Sequence, residues 1–166
     1  MFRIFVLVFT LLFSFSVFSE ESIEEETEDL IEACEKGNLK SAKYHLAKGA
    51  RVNARAHSGK TPGRTAIMWA AFRGKKELVK LLIDHGAEIN AKDDWKGNMN
   101  RPDGTEGWTP LIFAADSDHE EVVKILIERG ADVNIKTKSG ITALILAHIW
   151  RNEEMIHILK QAGAKE

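Results

Sequence analysis

Histidine and carboxylate side chains could carry out acid–base chemistry in this 166-residue chain, but few of them stand at a useful spacing. His85 lies next to Gly86 and His119 lies in a turn-like segment, and the sequence identifies no orienting partner for either ring. Glu154 and His157 lie three residues apart and could share one helix face, but two ligands do not complete a zinc site. We therefore predict no catalytic residue, and we interpret Glu154 and His157 as a solvated pair.

Oxygen-bearing side chains also cluster in one loop and raise the alternative of a calcium site. The residues concerned are Asp93, Asp94, Asn98, Asn100 and Asp103. Their spacing does not match the EF-hand pattern, in which the ligands follow one another at fixed positions of a short loop. We predict no metal site and no cofactor.

Cys34 is the only cysteine, so no disulfide can form within the chain. We favour a packed thiol, because small side chains stand at related positions further along the sequence. A reactive or intermolecular thiol is the alternative.

The bulk composition excludes several classes of protein. The formal charge is −2, 44% of the residues are hydrophobic and 29% are charged, which is ordinary for one globular domain. A nucleic-acid binder would need a clustered basic face, and the balanced charge does not provide one. We expect no nucleic-acid partner.

The first 19 residues, MFRIFVLVFTLLFSFSVFS, differ sharply from the rest of the chain. One positive residue, Arg3, precedes an apolar run from Ile4 to Phe18, an arrangement typical of a signal peptide. This run is shorter than the roughly 20 residues that a membrane-spanning helix needs. We therefore predict a signal peptide at residues 1–19, with an uncleaved N-terminal anchor as the alternative.

The predicted cleavage site follows Ser19, because Val17 and Ser19 are small enough for the positions that signal peptidase reads. Ser14 and Ser16 offer a second choice. Cleavage would leave an exported protein, periplasmic or secreted, with no membrane span. Residues 20–29 are strongly acidic, and we interpret them as a solvated spacer.

Gly-Ala pairs recur along the remaining chain and reveal an internal repeat. They stand at residues 49–50, 86–87, 130–131 and 163–164, with spacings of 37, 44 and 33 residues. A period of 33 with insertions of 4 and then 11 residues accounts for these spacings.

Each repeat is predicted to contain two helices. Thr65, Thr109 and Thr142 stand where an N-cap hydroxyl would accept a free helix N–H, and Pro110 follows at a first helical position. Small side chains come next and would let neighbouring helices approach closely. These small pairs are Ala33-Cys34, Ala70-Ala71, Ala114-Ala115 and Ala147-His148. An apolar stripe of helical spacing follows, and the glycine of each Gly-Ala pair is predicted to end the second helix in a left-handed turn.

The segment GWTPLIFAADSDHEEVVKILIERGADVN, residues 107–134, resembles the ankyrin repeat, in which a TPLHxAA pattern opens the first helix. The segments from Thr65 and Thr142 keep the threonine and lose the proline, and the segment from Leu30 lacks this start. The resemblance covers about residues 27–166. It implies an all-α solenoid of four helix-turn-helix repeats with β-hairpin fingers.

The resemblance also divides the chain. We expect the ankyrin-repeat domain at residues 30–166, with repeats at about 27–59, 60–92, 104–136 and 137–166 and an insertion at 93–103.

The first repeat has the features of an N-terminal cap. It places Glu32 where later repeats have Trp69, Phe113 and Leu146, and His45 where they have leucine. Ser41 likewise replaces a large apolar residue. Because a terminal repeat has no neighbour on one side, polar residues are expected there.

The resemblance implies that a protein partner is held by the hairpin fingers and by the exposed ends of the first helices, on the concave side of the stack. Large apolar and arginine side chains at those positions are the predicted contacts. The predicted partner-binding residues are Phe72, Trp95, Met99, Arg101, Trp108, Ile149 and Trp150. Arg64 and Ile141 occupy the other fingertips. For Trp150, packing against its own hairpin is the alternative.

The sequence thus predicts a monomeric, non-catalytic protein-binding module that acts outside the cytoplasm, protecting or inhibiting an envelope enzyme or a toxin. A secreted effector that binds foreign proteins is the second hypothesis. A hydrolase or metal-dependent enzyme is a third, weaker one.

Overall fold

The computed structural model describes residues 20–56, 63–94 and 106–165, and within these ranges the chain is helical. The first helix, α1, covers residues 20–36. The others are α2 (Leu39–Ala47), α3 (Ala66–Phe72), α4 (Lys76–Asp84), α5 (Pro110–Asp116), α6 (Glu120–Glu128), α7 (Ala143–Ile149) and α8 (Glu153–Gln161). The described ranges contain no β-strand, and an isolated antiparallel bridge joins Arg55 to Thr65. The all-helical prediction is confirmed to this extent.

The helices form consecutive pairs whose starts follow the predicted capping pattern. Thr109 Oγ1 accepts the N–H of Ile112 at 3.3 Å, and Thr142 Oγ1 accepts the N–H of Ile145 at 3.2 Å. Thr65 holds the N-cap position of α3. The hydroxyls of Thr109 and Thr142 satisfy N–H groups that a helix start leaves without an intrahelical partner.

The second helix of a pair ends at the glycine that the repeat pattern marks. Gly86 has φ 85° and Gly130 has φ 94°, in the left-handed region that favours glycine. The N–H of the next residue then turns back to the helix, as Ala87 N–H does to Leu82 O at 2.9 Å. The predicted C-terminal turns are confirmed.

The core runs through the first helices, which stack side by side. All residues of α3 from Ala66 to Ala71 are buried, and α3 packs on α5, which in turn packs on α7. Ala70 and Ala114 have no exposed surface, so the small side chains allow the close approach that the sequence predicted.

Side-chain amides join successive pairs on another side of the stack. Asn53 Nδ2 donates to Gly86 O at 3.0 Å, and its Oδ1 accepts the N–H of Glu88 at 2.8 Å. Asn90 and Asn134 accept backbone N–H groups of the following turns at 2.9 and 2.8 Å. These bonds fix the register of one pair on the next.

The N-terminal pair has the polar side that a cap requires. Glu32 is exposed and pairs with Lys36, and Ser41 is half-buried where Leu78 and Val122 are buried. His45 Nδ1 lies 2.6 Å from Glu26 Oε2 and so joins α2 to α1.

Residues 20–29, predicted to be an acidic spacer, are instead the first described turns of α1. The reason is an inward side that the acidic composition conceals, since Thr27 is buried, Ile23 and Glu26 are half-buried, and the helix continues into the buried Leu30 and Ile31. Thr27 Oγ1 donates to Ile23 O at 2.6 Å and accepts the N–H of Arg51 at 2.9 Å.

Cys34 is fully buried at the end of α1, at the position of Ala71 and Ala115. Burial raises the pKa of its thiol to about 12, because the charged thiolate would lose its solvation. The predicted packed thiol is confirmed.

Within the described ranges, no helix is both long enough and apolar enough to cross a membrane. The predicted signal peptide, residues 1–19, lies outside those ranges.

We expect Ala114→Leu to lower the free energy of unfolding by about 1 to 3 kcal/mol, because the larger side chain must overpack the contact between stacked first helices. Urea denaturation of the variant and the parent chain measures the change. Glu32→Leu is the control, since its exposed position should change stability by no more than about 0.5 kcal/mol. A chain that Glu32→Leu unfolds and Ala114→Leu does not would contradict the alignment of the repeats.

Candidate protein-binding surface

The candidate surface is formed where the first helices end. The residues concerned follow the small pairs and are here called the first-helix row: Glu35, Lys36, Phe72, Arg73, Asp116, Ser117, Ile149 and Trp150. Helices α3, α5 and α7 have seven residues each and start at equivalent threonines. The ends of these three helices therefore come into register, and Arg73 at the end of α3 reaches Glu35 O of α1 at 3.0 Å.

Ile149 and Trp150 are the exposed apolar members of the row. Their side chains are 60% and 59% exposed, respectively. The two side chains are adjacent in the sequence, and contiguous exposed apolar surface is a feature of protein interaction sites. The exposure of Trp150 also weighs against the alternative that its own hairpin covers this side chain.

Phe72 is half-buried rather than exposed as predicted. Its ring meets Trp69 edge-on at 5.9 Å and Phe113 at 6.3 Å between centroids. Arg73 lies over it, 5.6 Å from the ring centroid, and donates from Nε to Glu35 O at 3.0 Å. The middle of the row therefore presents a guanidinium and the edge of an aromatic ring.

Trp108, predicted to be an exposed fingertip contact, is buried in the structure, with 6% of its surface exposed. Its ring lies 5.2 Å from that of Phe113. The residue directly precedes the N-cap Thr109, so its backbone must follow the start of α5 and its ring turns into the core. This position serves the fold, and the prediction of an exposed Trp108 is wrong.

Arg64 occupies the fingertip position of the second repeat, and it too is buried, with 7% exposed. Its guanidinium carbon lies 4.5 Å from the centroid of Phe113 and 4.8 Å from that of Trp69. Stacking on aromatic faces suits arginine, whose planar cation is weakly hydrated. Ile141, the third fingertip, is half-buried.

Asp93 has a structural role that the sequence analysis missed. Its carboxylate is buried, and Oδ1 accepts the N–H groups of Gly107 at 2.9 Å and Trp108 at 2.7 Å. Asp93 thus closes the base of the insertion through its two hydrogen bonds to the backbone. An aspartate at the start of a loop that ends in Gly-Trp is the signal that could have indicated this.

The insertion itself holds several predicted residues. Trp95, Met99 and Arg101, and the calcium candidates Asn98, Asn100 and Asp103, lie outside the described residues. Their predicted roles stay predictions.

The candidates for acid–base chemistry have structural partners. His119 Nε2 lies 3.0 Å from Phe72 O, and His85 Nδ1 lies 2.8 Å from Leu81 O. Glu154 lies 3.7 Å from Lys124 Nζ across the helix pairs. No group of three potential metal ligands occurs in the part of the chain that the structure describes.

Comparison with known proteins adds a family relationship. A family model described as ankyrin repeats (3 copies) matches residues 7–93 and 96–166. Acyl-CoA-binding domain-containing protein 6 of Bos taurus is 34% identical over 71 residues, which cover 42% of this chain and 24% of that protein. Serine/threonine-protein kinase 12 of Arabidopsis thaliana is 34% identical over 86 residues, 48% of this chain and 18% of that protein. The chain therefore spans about a quarter or less of these relatives.

We expect Trp108→Ala to lower the free energy of unfolding by about 3 kcal/mol or more, because it removes a buried ring from its contact with Phe113. Trp150→Ala is the matched control, since it deletes the same side chain from an exposed position and should cost less than about 1 kcal/mol. Chemical denaturation followed by far-ultraviolet circular dichroism measures both changes. Equal losses in the two variants would contradict the assignment of Trp108 to the core.

Proposed function

The chain belongs to the ankyrin-repeat family, and we propose that it is a non-catalytic protein-binding module that is exported from the cytoplasm. Ankyrin repeats are generally protein–protein interaction modules. The finer parts of the proposal are the surface used, the number of repeats, the location and the kind of partner.

The observation that carries the proposal is the exposure of Ile149 and Trp150 at the end of the first-helix row. Aromatic residues dominate the energetic centres of protein interfaces, because they bury a large rigid surface at low cost in side-chain entropy. Arg73 and the edge of Phe72 extend this surface along the row. We propose that a partner lies along the row, with Trp150 as its main apolar contact.

We further propose four repeats with hairpin fingers. The four helix pairs that start at α1, α3, α5 and α7 support the repeat number. Backbone hydrogen bonds at the bases of the loops support the fingers, since Ala56 N–H donates to Arg64 O and Asp93 N–H donates to Trp108 O, both at 2.9 Å. Trp95, Met99 and Arg101 would then be carried by the long finger and would reach a partner bound along the row.

The location is proposed from the sequence of residues 1–19, with its single Arg3 and its apolar run. In the periplasm or outside the cell, a binding module of this kind would protect or inhibit an envelope enzyme or a toxin. A secreted effector that binds foreign proteins is the second candidate, and the same segment favours it equally. Fractionation of the culture into medium and envelope separates the two.

A reporter enzyme fused after residues 1–25 is expected to cross the membrane, because the segment has the charge, apolar core and small residues that the export machinery reads. Amino-terminal sequencing of the exported full chain should find Glu20 as the first residue. A matched fusion with Leu11→Asp and Leu12→Asp, which interrupt the apolar run, should stay in the cytosol. Full-length, unprocessed chain in the cytosol would contradict the proposed location.

Affinity capture with the chain, followed by mass spectrometry, identifies a partner on which the surface can be tested. Trp150→Ala and Trp95→Ala are each expected to weaken that complex by about 2 kcal/mol, or roughly thirtyfold in Kd, because aromatic anchors dominate such interfaces. Isothermal titration calorimetry measures the change. Lys80→Ala, at an exposed position of α4, is the control and should leave the Kd unchanged. Full affinity in the double tryptophan variant would remove both residues from the binding surface.

A further inference from the structure

The last helix pair has an outer side that no further pair covers in this structure. The equivalent positions of earlier pairs identify the residues on this side. We call Ile145, His148, Ile149 and Arg151 the open face.

Burial of the equivalent residues shows that the open face has the features of a helix-packing surface. Ile145 is 37% exposed, whereas Met68 and Ile112 at the same position are 0% and 1% exposed. His148 is exposed where Ala115 is buried. In the earlier pairs the next first helix lies against these positions, as α5 does on α3 and α7 on α5.

The turns between paired helices also indicate that this side of a pair is a contact surface for the next pair. A Cβ added to Gly74 would lie 2.6 Å from the ring of His119, which belongs to the next pair. Asp118, one repeat later, accepts a hydrogen bond from Asn152 of the next pair. Arg151 stands at the same position with the same left-handed backbone, at φ 55°. The backbone of Arg151 therefore lies at the place where, in the earlier pairs, the next pair makes contact.

The apolar part of this outer side is only one helix wide. The described residues that are large, apolar and exposed in this pair are Ile145, Ile149 and Trp150, all on α7 or its C-cap. Helix α8 carries Lys160 where α4 and α6 carry the half-buried Ile83 and Ile127. If a complete helix pair packed on this side, its first helix would contact the apolar residues of α7, but its second helix would contact the polar Lys160 of α8.

We propose that the open face binds a single amphipathic α-helix of a partner protein, with apolar residues against Ile145 and Ile149 and carboxylates beside Arg151. Ile145 and Ile149 lie one helical turn apart, which matches the i, i+4 spacing of an apolar stripe on such a helix. Arg151 and Lys160 bring positive charge to this end of the stack, with Glu153 as an acidic neighbour in the sequence. The inference rests on the proposed function in that it assumes a protein partner, and the two surfaces share Ile149, whereas Ile145 and Arg151 belong to the open face alone.

A second copy of this chain fits the open face less well. The exposed parts of the two isoleucines of the open face, Ile145 and Ile149, amount to on the order of 200 Å², whereas a stable dimer buries about 800 Å² per partner. A head-to-tail contact would set Ile145 against the N-terminal pair, whose outer residue Glu32 is charged and exposed. Burying that carboxylate against an isoleucine would cost its solvation without a replacement hydrogen bond.

A designed peptide tests the proposal directly. The probe is a labelled helical peptide of about 14 residues with leucine at i and i+4 positions and glutamate on both flanks. Its matched controls are the same peptide with lysine in place of glutamate and a scrambled isomer. Fluorescence anisotropy with the full chain measures the Kd, and isoleucine methyl NMR spectra locate the contact.

We expect the acidic peptide to bind with a Kd on the order of 10 to 100 µM, with the largest methyl shifts at Ile145 and Ile149. The lysine peptide should bind at least about fivefold more weakly and the scrambled peptide not measurably. Ile145→Asp should weaken binding of the acidic peptide by about tenfold or more. Arg151→Asn should weaken binding of the acidic peptide about threefold. The substitution should not strain the backbone, because asparagine tolerates the left-handed conformation.

Several results would overturn the proposal. These are equal binding of the acidic and lysine peptides, wild-type affinity in both Ile145→Asp and Arg151→Asn, and methyl shifts confined to residues other than Ile145 and Ile149. Sedimentation velocity that shows oligomers of the full chain, abolished by Ile145→Asp, would assign the face to a second copy. If Ile145→Asp fails to melt cooperatively, Arg151→Asn and the lysine peptide decide the matter.

Each surface is tested through residues that the other does not contain, Trp150 for the first-helix row and Ile145 and Arg151 for the open face, so the two proposals can fail independently. Trp150→Ala should weaken binding of the captured partner and leave the Kd of the acidic peptide within about twofold of its wild-type value. Loss of peptide binding alone, or of partner binding alone, identifies which surface was misassigned.

Discussion

Each helix pair in this chain depends on its neighbours for stability, because its first helix has an apolar side that becomes buried only when the next pair packs against it. Ala70 and Ala114 are small enough for the helices to meet, and their complete burial shows how close that contact is. Each pair therefore stabilises the one beside it, and stability is distributed along the stack. The amides of Asn53, Asn90 and Asn134 then fix the register in which those contacts form.

The same dependence makes the two ends of the stack differ. At the N-terminal pair, Glu32 and Ser41 replace apolar residues, so its outer side is compatible with water. At the last pair, α8 is polar at Lys160 while α7 keeps the interior pattern at Ile145. The open face thus arises because α7 keeps at Ile145 the apolar character that Met68 and Ile112 have inside the stack.

The parts of the structure that follow from local, repeated chemistry could be predicted from the sequence. Threonine caps, glycine turns and small contact residues depend on neighbours a few positions away, and the repeat shows each of them several times. Arg64 and Trp108 could not be placed in this way. Both side chains pack on Phe113. The burial of Arg64 depends on this ring of the next pair, and the burial of Trp108 depends on how the chain enters α5 after the insertion. Asp93 was missed because its partners, Gly107 and Trp108, lie beyond an insertion that breaks the period.

Binding in a stacked scaffold is confined to the positions that stacking leaves free. Residues such as Phe113 and Leu126 cannot change without a loss of stability, whereas the ends of the first helices can vary because only part of each side chain is packed. Phe72 shows the intermediate case, in which one ring both supports Phe113 and presents its edge to the row. The stack holds these ends at a fixed separation, so a partner meets a surface that is already ordered, and the entropy of ordering it was lost during folding. The proposed role of Trp150 as a binding residue on a helix end depends on that preorganisation, since its exposure contributes nothing to the fold.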